Sequence, residues 1–245
     1  LKIVAACLWK KIFTGSMKKN FILLIAALTV VLVRSEAQKL KTYKDHCGFY
    51  YTSVADLQKQ KGRELAFFSF KPGQYVASLG AQCCHWEAAY AAASDSVHFF
   101  LEDIDSSYFN AGQASFAWNH YEQLLGKPLS SSWRLVVGTE HRTNLPENLF
   151  DKILIINSFH EFTDQLGMLA DIRRKLKPEG ILYIDETLAK HSGELHGVCK
   201  KRIYLSDELI NILQDNGYEY VNSLDMNFRK GRVVRKIFAF RKNKT

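Results

Sequence analysis

The sequence predicts an α/β fold, a doubly wound and mostly parallel sheet that ends in an antiparallel pair of strands. Three observations carry that expectation. Residues 75–79, 97–101 and 151–157 hold short apolar runs without the alternation of a half-exposed strand, as expected of strands covered on both faces. Stretches of helical length separate them, and strands alternating with helices imply parallel pairing through right-handed crossovers. Near the end, residues 218–224 and 233–240 alternate around Lys230 and Gly231, the pattern of two antiparallel strands.

At 245 residues, 47% of them hydrophobic and 24% charged, the chain can bury a core and has a globular composition. Its formal charge of +8 is unevenly spread. Residues 1–37 carry Lys2, Lys10, Lys11, Lys18, Lys19 and Arg34 against Glu36, which is +5 of the +8; the remaining +3 gives no ground for a nucleic-acid partner.

Those first residues have the layout of an export signal. Met17, Lys18, Lys19 and Asn20 form a basic start, residues 21–33 are apolar, and Ser35 and Ala37 suit the −3 and −1 positions of a cleavage site before Gln38. As a helix the apolar run would span about 20 Å, short of the ~30 Å hydrocarbon core, so no stable membrane span is expected after cleavage. Residues 1–16 read as an upstream extension and Met17 as the working start. The expected location is therefore periplasmic or secreted, and cytoplasmic if the signal is not used. Cys47, Cys83, Cys84 and Cys199 follow the cleavage point. A Cys47–Cys199 disulfide and four free or buried thiols both remain open.

Residues 38–70 are expected to form a polar helical cover over a sheet edge or cleft, with a helix near 54–62. Residues 71–73, Lys-Pro-Gly, break the chain and open the main domain, residues 71–245. The first strand, 75–79, meets a turn at Gly80; an alanine-rich helix follows over 87–93, and the second strand, 97–101, ends in Glu102, Asp103 and Asp105. This β-loop-α-β-acid unit suits a nucleotide-type ligand, because a helix N-terminus faces it and a strand-end acid can accept ribose hydroxyls. Ser106 or Ser107 is expected to cap a helix running to Leu125. A third strand over 134–137 closes at Gly138. Residues 151–157 make the fourth strand, a helix spans 163–176, and 181–184 make the fifth, ending at Asp185 and Glu186. A polar loop over 187–203 carries His191 and His196. A helix then starts at a serine cap, Ser206, and stops at Asn216-Gly217. In a sheet of this kind Gly80, Asp103, Gly138 and Asn157 share the carboxyl edge, where ligands bind.

Four segments together resemble the class I S-adenosylmethionine-dependent methyltransferases over residues 71–242. They are V-A-S-L-G-A-Q from Val76, F-L-E-D-I-D from Phe100, L-P-E-N-L-F-D-K-I-L-I-I-N-S-F-H-E-F from Leu145 and L-K-P-E-G-I-L-Y-I-D-E from Leu176. The resemblance implies a seven-stranded Rossmann-like sheet, S-adenosylmethionine as cofactor, and a small-molecule or protein methyl acceptor. It implies that Gly80, Ala81 and Gln82 hold the methionine end and that Asp103 takes the ribose hydroxyls, with Ile104 against the adenine. Thr139 and Glu140 would stand at the adenine edge, and Asn157 and Ser158 beside the methyl group. The chain departs from the family pattern at Ser78, where an acid is usual, and in a turn that keeps only one glycine of G-x-G-x-G.

Methyl transfer to a good nucleophile needs mainly alignment, so no catalytic base is required. If one acts, His160 or Glu161 is placed for it after the fourth strand, and a solvated or helix-capping pair is the other reading. His85 and Trp86 could face the ligand or pack. Cys83 could be reactive at a helix start or simply buried. Neither a C-x-x-C pair nor a run of His and Cys at zinc spacing occurs, so no metal is expected. The hydrolase elbow G-x-S-x-G, the phosphate loop and a full G-x-G-x-x-G are also missing from the sequence. The alternative to a methyltransferase is an exported binding or structural domain of the same fold that has lost donor binding, since the donor is made in the cytoplasm and residues 17–37 point outward.

Overall fold

A computed structural model describes residues 44–45, 48–229 and 232–243. The expected leader over 17–37, the extension over 1–16, Cys47 and the Lys230-Gly231 turn lie outside the described residues. The chain divides into two compact units, residues 1–52 and 53–245. In the first, β1 (Lys44–Asp45) and β2 (Gly48–Phe49) form an antiparallel pair, with Lys44 opposite Phe49.

The second unit runs α1 (Val54–Phe68), β3 (Tyr75–Leu79), α2 (His85–Ala92), β4 (His98–Asp103), α3 (Ala111–Leu125) and β5 (Ser132–Val137). It continues with β6 (Phe150–Ile156), a 3-10 turn (Phe159–Glu161), α4 (Gln165–Lys175), β7 (Leu176–Thr187), α5 (Ser206–Asp215), β8 (Tyr218–Arg229) and β9 (Arg232–Lys242). The sheet has seven strands in the order β5-β4-β3-β6-β7-β9-β8. The first five are parallel, and β9 runs antiparallel to both of its neighbours. The chain winds outward from β3 to β5, crosses back to β6 and winds out the other way. Strand order therefore reverses between β3 and β6, which opens a crevice at their carboxyl ends.

Local chemistry sets the helix limits. Ser53 caps α1 by accepting from the Asp56 amide at 3.0 Å, and α1 runs past residue 62 until Ser69 turns left-handed at φ 49°. The helix before β5 does not start at Ser106 or Ser107. Asp105 takes the Ser107 amide and hydroxyl into a local turn, and Asn110 is the cap, accepting from the Gln113 amide at 3.1 Å. Ser206 is likewise inside α5 and Leu205 is the cap position, where the Glu208 carboxylate reaches back to the Leu205 amide at 3.1 Å. The strand expected over 181–184 is longer because Leu176 already pairs with Phe150, across a bulge in β6.

Two apolar layers cover the sheet. On one face Ile153, Ile155, Leu182, Ile184, Phe238 and Phe240 join one core with Leu169 and Ile172 of α4 and with Leu209 and Leu213 of α5. On the other, Phe68 meets Tyr90 and Tyr183 edge-on at 5.5 and 5.1 Å, and Phe70 meets Phe99 at 5.8 Å. Each such side chain contributes roughly 1.5–3 kcal/mol through burial.

A polar cluster is embedded beside that aromatic layer. Lys61 of α1 donates to both Glu64 oxygens at 2.9 and 2.8 Å and lies 3.9 Å from the centre of the Trp86 ring. Tyr90 donates its hydroxyl proton to Glu64 at 2.9 Å. Arg235 of β9 forks onto Asp185 of β7 at 2.7 and 2.6 Å, and Asp185 is only 1% exposed. No helix among the described residues is long and apolar enough to cross a membrane.

Arg235→Met leaves the Asp185 carboxylate buried beside its remaining neighbours without its fork. The expected outcome is a loss of about 3 kcal/mol in urea denaturation, and a loss below ~0.5 kcal/mol would show that the pair is dispensable.

Candidate functional site

The residues at the carboxyl ends of β3, β4, β5 and β6 converge on one cleft of about 1080 Å3. Its floor is the turn after β3. Gly80, Gln82 and Cys84 all have positive φ, at 73°, 44° and 61°. The chain therefore keeps the left-handed backbone at alternate positions even where it has lost the glycines. Gln82 and Cys84 adopt it at a cost of order 1 kcal/mol each. Gly80 could not be replaced so easily, because a Cβ there would lie 2.7 Å from Ser158 Oγ of the β6 tip. Close approach of two strand ends explains which glycine remains.

The turn is fastened to β4. The Gly80 and Ala81 amides donate to the Glu102 carbonyl at 2.9 and 3.0 Å, and the Gln82 amide donates to Asp103 Oδ2 at 2.8 Å. Asp103 Oδ1 accepts from the Asp105 amide at 2.8 Å. Both carboxylate oxygens are thus oriented by backbone while each keeps acceptor capacity toward the cleft. Ile104 is 55% exposed beside it, an apolar surface on the cleft wall.

Glu102, the sequence rival of Asp103, is different in kind. It is 2% exposed and its Oε1 finds no hydrogen-bond partner among the described residues. Burial and the negative charge of Asp103 push its carboxyl up to about 8. A Cβ on Gly138 would stand 1.7 Å from Glu102 Oε1, so the two residues fill one space. The third acid, Asp105, serves the local turn.

Thr139 shapes the loop after β5, donating its amide to the Arg142 carbonyl at 2.8 Å and accepting at Oγ1 from the Arg142 amide at 3.1 Å. Thr139 and Glu140 line the cleft opposite the turn. Asn157, at φ 52°, donates its amide to the Asp185 carbonyl at 2.6 Å and accepts from the Thr187 hydroxyl at 2.9 Å. Ser158 donates to the Leu79 carbonyl at 3.0 Å, tying β6 to β3. Both residues line the cleft, as do His85 and Trp86, whose rings lie 4.3 Å apart and tilted by 42°.

The two candidate bases separate. Glu161 lines the cleft with its side chain 53% exposed. The His160 side chain is fully buried and is not part of the cleft lining, with Nδ1 at 2.9 and 3.0 Å from the Glu186 oxygens. Burial opposes charge on that imidazole, but the Glu186 carboxylate outweighs it and raises the pKa.

Three features were not readable as site chemistry. Position 78 lacks the expected acid, yet Ser78 donates to Glu87 of α2 at 2.6 Å, so a carboxyl stands beside the turn after all. Burial raises that carboxyl to about 7, against the Ser78 hydrogen bond. Cys83 is neither a reactive thiol nor a simple apolar filler but is disulfide-bonded. Cys84 and Cys199 are free, which removes the Cys47–Cys199 bridge.

A family model for the methyltransferase domain matches residues 88–184. A search of curated proteins finds no match. Among solved structures the fold is similar to a SAM dependent methyltransferase from Aquifex aeolicus, with TM-score 0.58 and 19% identity over 83% of this chain and 97% of that one. It is similar to the 1,6-didemethyltoxoflavin-N1-methyltransferase of Burkholderia thailandensis, solved with S-adenosylhomocysteine, at TM-score 0.57 and 17% identity over 90% and 89%. The [4+2]-cyclase SpnF also shares the fold, at TM-score 0.57 and 16% identity over 76% and 83%.

The Glu102 carboxyl gives a pH signature. Unfolded it titrates near 4.5 and folded near 8, so between those values the folded state holds a proton that the unfolded state has released. Stability then falls as pH rises through that window and levels off above it. Glu87, raised to about 7, adds a slope of the same sign over a narrower window. Glu102→Gln should therefore be more stable than wild type by roughly 3 kcal/mol near pH 8 and much closer to it near pH 5. Equal urea midpoint shifts at both pH values would contradict the assignment.

Proposed function

We propose that this chain is a class I S-adenosylmethionine-dependent methyltransferase, a reading that the family model over residues 88–184 and the shared fold support, and that it transfers a methyl group to a small molecule or protein bound in the cleft described above. The observation that supports this reading best is Asp103. It stands at the end of β4 on the edge of the switch-point crevice, with both oxygens fixed by backbone amides and still able to accept two hydroxyls. The turn from Gly80 to Gln82 would take the methionine end, Ile104 the adenine face, and Thr139 and Glu140 its edge. Asn157 and Ser158 would flank the methyl group. The bound donor supplies an electrophilic methyl on a sulfonium; the chain aligns an acceptor with it and excludes water.

Of the two candidate bases, Glu161 is the one that faces the cleft and could accept an acceptor proton. Release of a proton to solvent serves equally for an acceptor that is already a good nucleophile. The same fold in a [4+2]-cyclase is a reminder that the scaffold alone does not fix the chemistry.

Calorimetry of the purified chain with S-adenosylhomocysteine tests the reading. Binding is expected, and Asp103→Ala should weaken it by about 10- to 100-fold, the range for losing hydrogen bonds to a charged group. A folded protein that binds none would favour the alternative of a domain that has lost its donor.

Export belongs to the same proposal. The signal-like layout of residues 17–37 motivates it, and the Cys83 disulfide supports it, since such bonds persist in oxidising compartments. Protein recovered from its host should begin at Gln38. An intact Met17 in N-terminal sequencing would refute cleavage.

A further inference from the structure

The loop that connects β7 to α5 is not a simple polar flap. Leu195 and Arg202 pair as an antiparallel bridge, the His196 amide donates to the Lys201 carbonyl at 2.7 Å and the Lys200 amide donates to the His196 carbonyl at 3.1 Å. The Ile203 amide closes the ladder on the Glu194 carbonyl at 2.9 Å. Residues 194–203 are therefore a small hairpin, and its tip presents His196 and Cys199. That tip folds over the 3-10 turn after β6, where the His160 ring lies 4.8 Å from the His196 ring.

We propose that His160, His196 and Cys199 form a zinc-binding site at the edge of the cleft. One donor atom from each of the three residues lies within 4.8 Å of the other two. His196 Nδ1 and Cys199 Sγ are already 3.1 Å apart. With Zn–N near 2.0 Å and Zn–S near 2.3 Å, a tetrahedral ion needs its donors roughly 3.3–3.6 Å apart. Drawing the hairpin tip toward His160 by about an ångström closes the set.

The environment of His160 is what singles out a metal. Its side chain is fully buried, Nδ1 is engaged by the Glu186 carboxylate, and Nε2 is buried with no hydrogen-bond partner among the described residues. A carboxylate that holds the Nδ1 proton leaves the Nε2 lone pair free, which is the arrangement that orients a histidine toward a metal. A buried imidazole nitrogen without a partner costs about 1–3 kcal/mol, and an ion would remove that penalty. Cys199 is a free, half-buried thiol, and the pairing of two imidazoles with one thiolate suits borderline-soft zinc. Glu161 Oε1 is 3.9 Å from His160 Nε2 on an exposed side chain. Glu161, His196 and Cys199 all border the cleft, so an ion held by this set would lie at its edge.

Sequence spacing could not reveal this set, because His160 comes from a different loop and only the fold supplies it. The expectation that no metal binds rested on the lack of a local run.

The inference does not depend on methyl transfer, and its readout is metal. The full chain, stripped with a chelator and dialysed against zinc chloride, should retain zinc at about one ion per chain by elemental analysis. His196→Ala and Cys199→Ser sit in the hairpin, outside the apolar core, and should each weaken retention by at least about 100-fold. With cobalt in place of zinc, wild type should show a sulfur-to-metal charge-transfer band that Cys199→Ser lacks. Circular dichroism and S-adenosylhomocysteine calorimetry on the same variants separate loss of the ion from loss of fold or of donor binding. Wild-type protein that keeps no zinc above the dialysate overturns the proposal. So does a Cys199→Ser variant with unchanged zinc retention and cobalt spectrum.

Discussion

Two carbonyl-bound amides and one carboxylate-bound amide hold the turn after β3 against the end of β4, and the cleft takes its form from that fastening. Gly80 and Ala81 share the Glu102 carbonyl, and Gln82 reaches the Asp103 side chain. The link runs both ways. The turn fixes the carboxylate that would receive ribose, and the carboxylate fixes the amide of the residue that replaces a glycine. Ser158 then pulls the β6 tip onto the β3 carbonyl, so the two strands on either side of the switch point are stitched where the crevice opens. Precision in such a site comes from backbone held by strand ends rather than from the choice of a reactive side chain.

Beneath the cleft the chain keeps more charge than a core of this kind needs. Lys61, Glu64, Tyr90, Asp185 and Arg235 sit between α1, α2 and the β7–β9 strands in closely paired groups. Buried pairs seldom add stability over apolar packing, but they penalise wrong arrangements heavily. Here they fix how α1 seats on α2 and how β9 joins β7. Asp185 also offers its carbonyl to Asn157. The antiparallel edge and the site are therefore coupled through a single residue.

The sheet was legible because parallel strands covered on both faces leave unbroken apolar runs, and 151–157 and 75–79 could be read as such. Once those ends were placed, Gly80, Asp103, Gly138 and Asn157 fell along one edge, and the structure gathers Gly80, Asp103 and Asn157 around one cleft, with Thr139 rather than Gly138 in its lining. Helix starts were less legible. Ser107 and Ser206 look like caps, but Asp105 claims the first and Glu208 already serves the amide preceding the second. Position alone could not tell which polar group wins a local competition. Least legible were partnerships that only the fold creates: Glu87 beside Ser78, Glu186 under His160, and His196 with Cys199 above it. Each joins residues whose separation in sequence carries no periodic or motif signal. The backbone at 82 and 84 was not legible either, because a residue with a side chain can hold a left-handed conformation when its neighbours fix it.

Glu102 and Gly138 carry a consequence for how this site can vary. The carboxyl of one occupies the volume that the first carbon of any side chain on the other would need. The two positions, one near the end of β4 and one just past the end of β5, are a single choice made twice. A shorter residue at 102 opens room at 138, and any side chain at 138 evicts the acid. A side chain at 138 therefore requires a shorter residue at 102 first, and a library that varies position 138 alone samples mostly misfits.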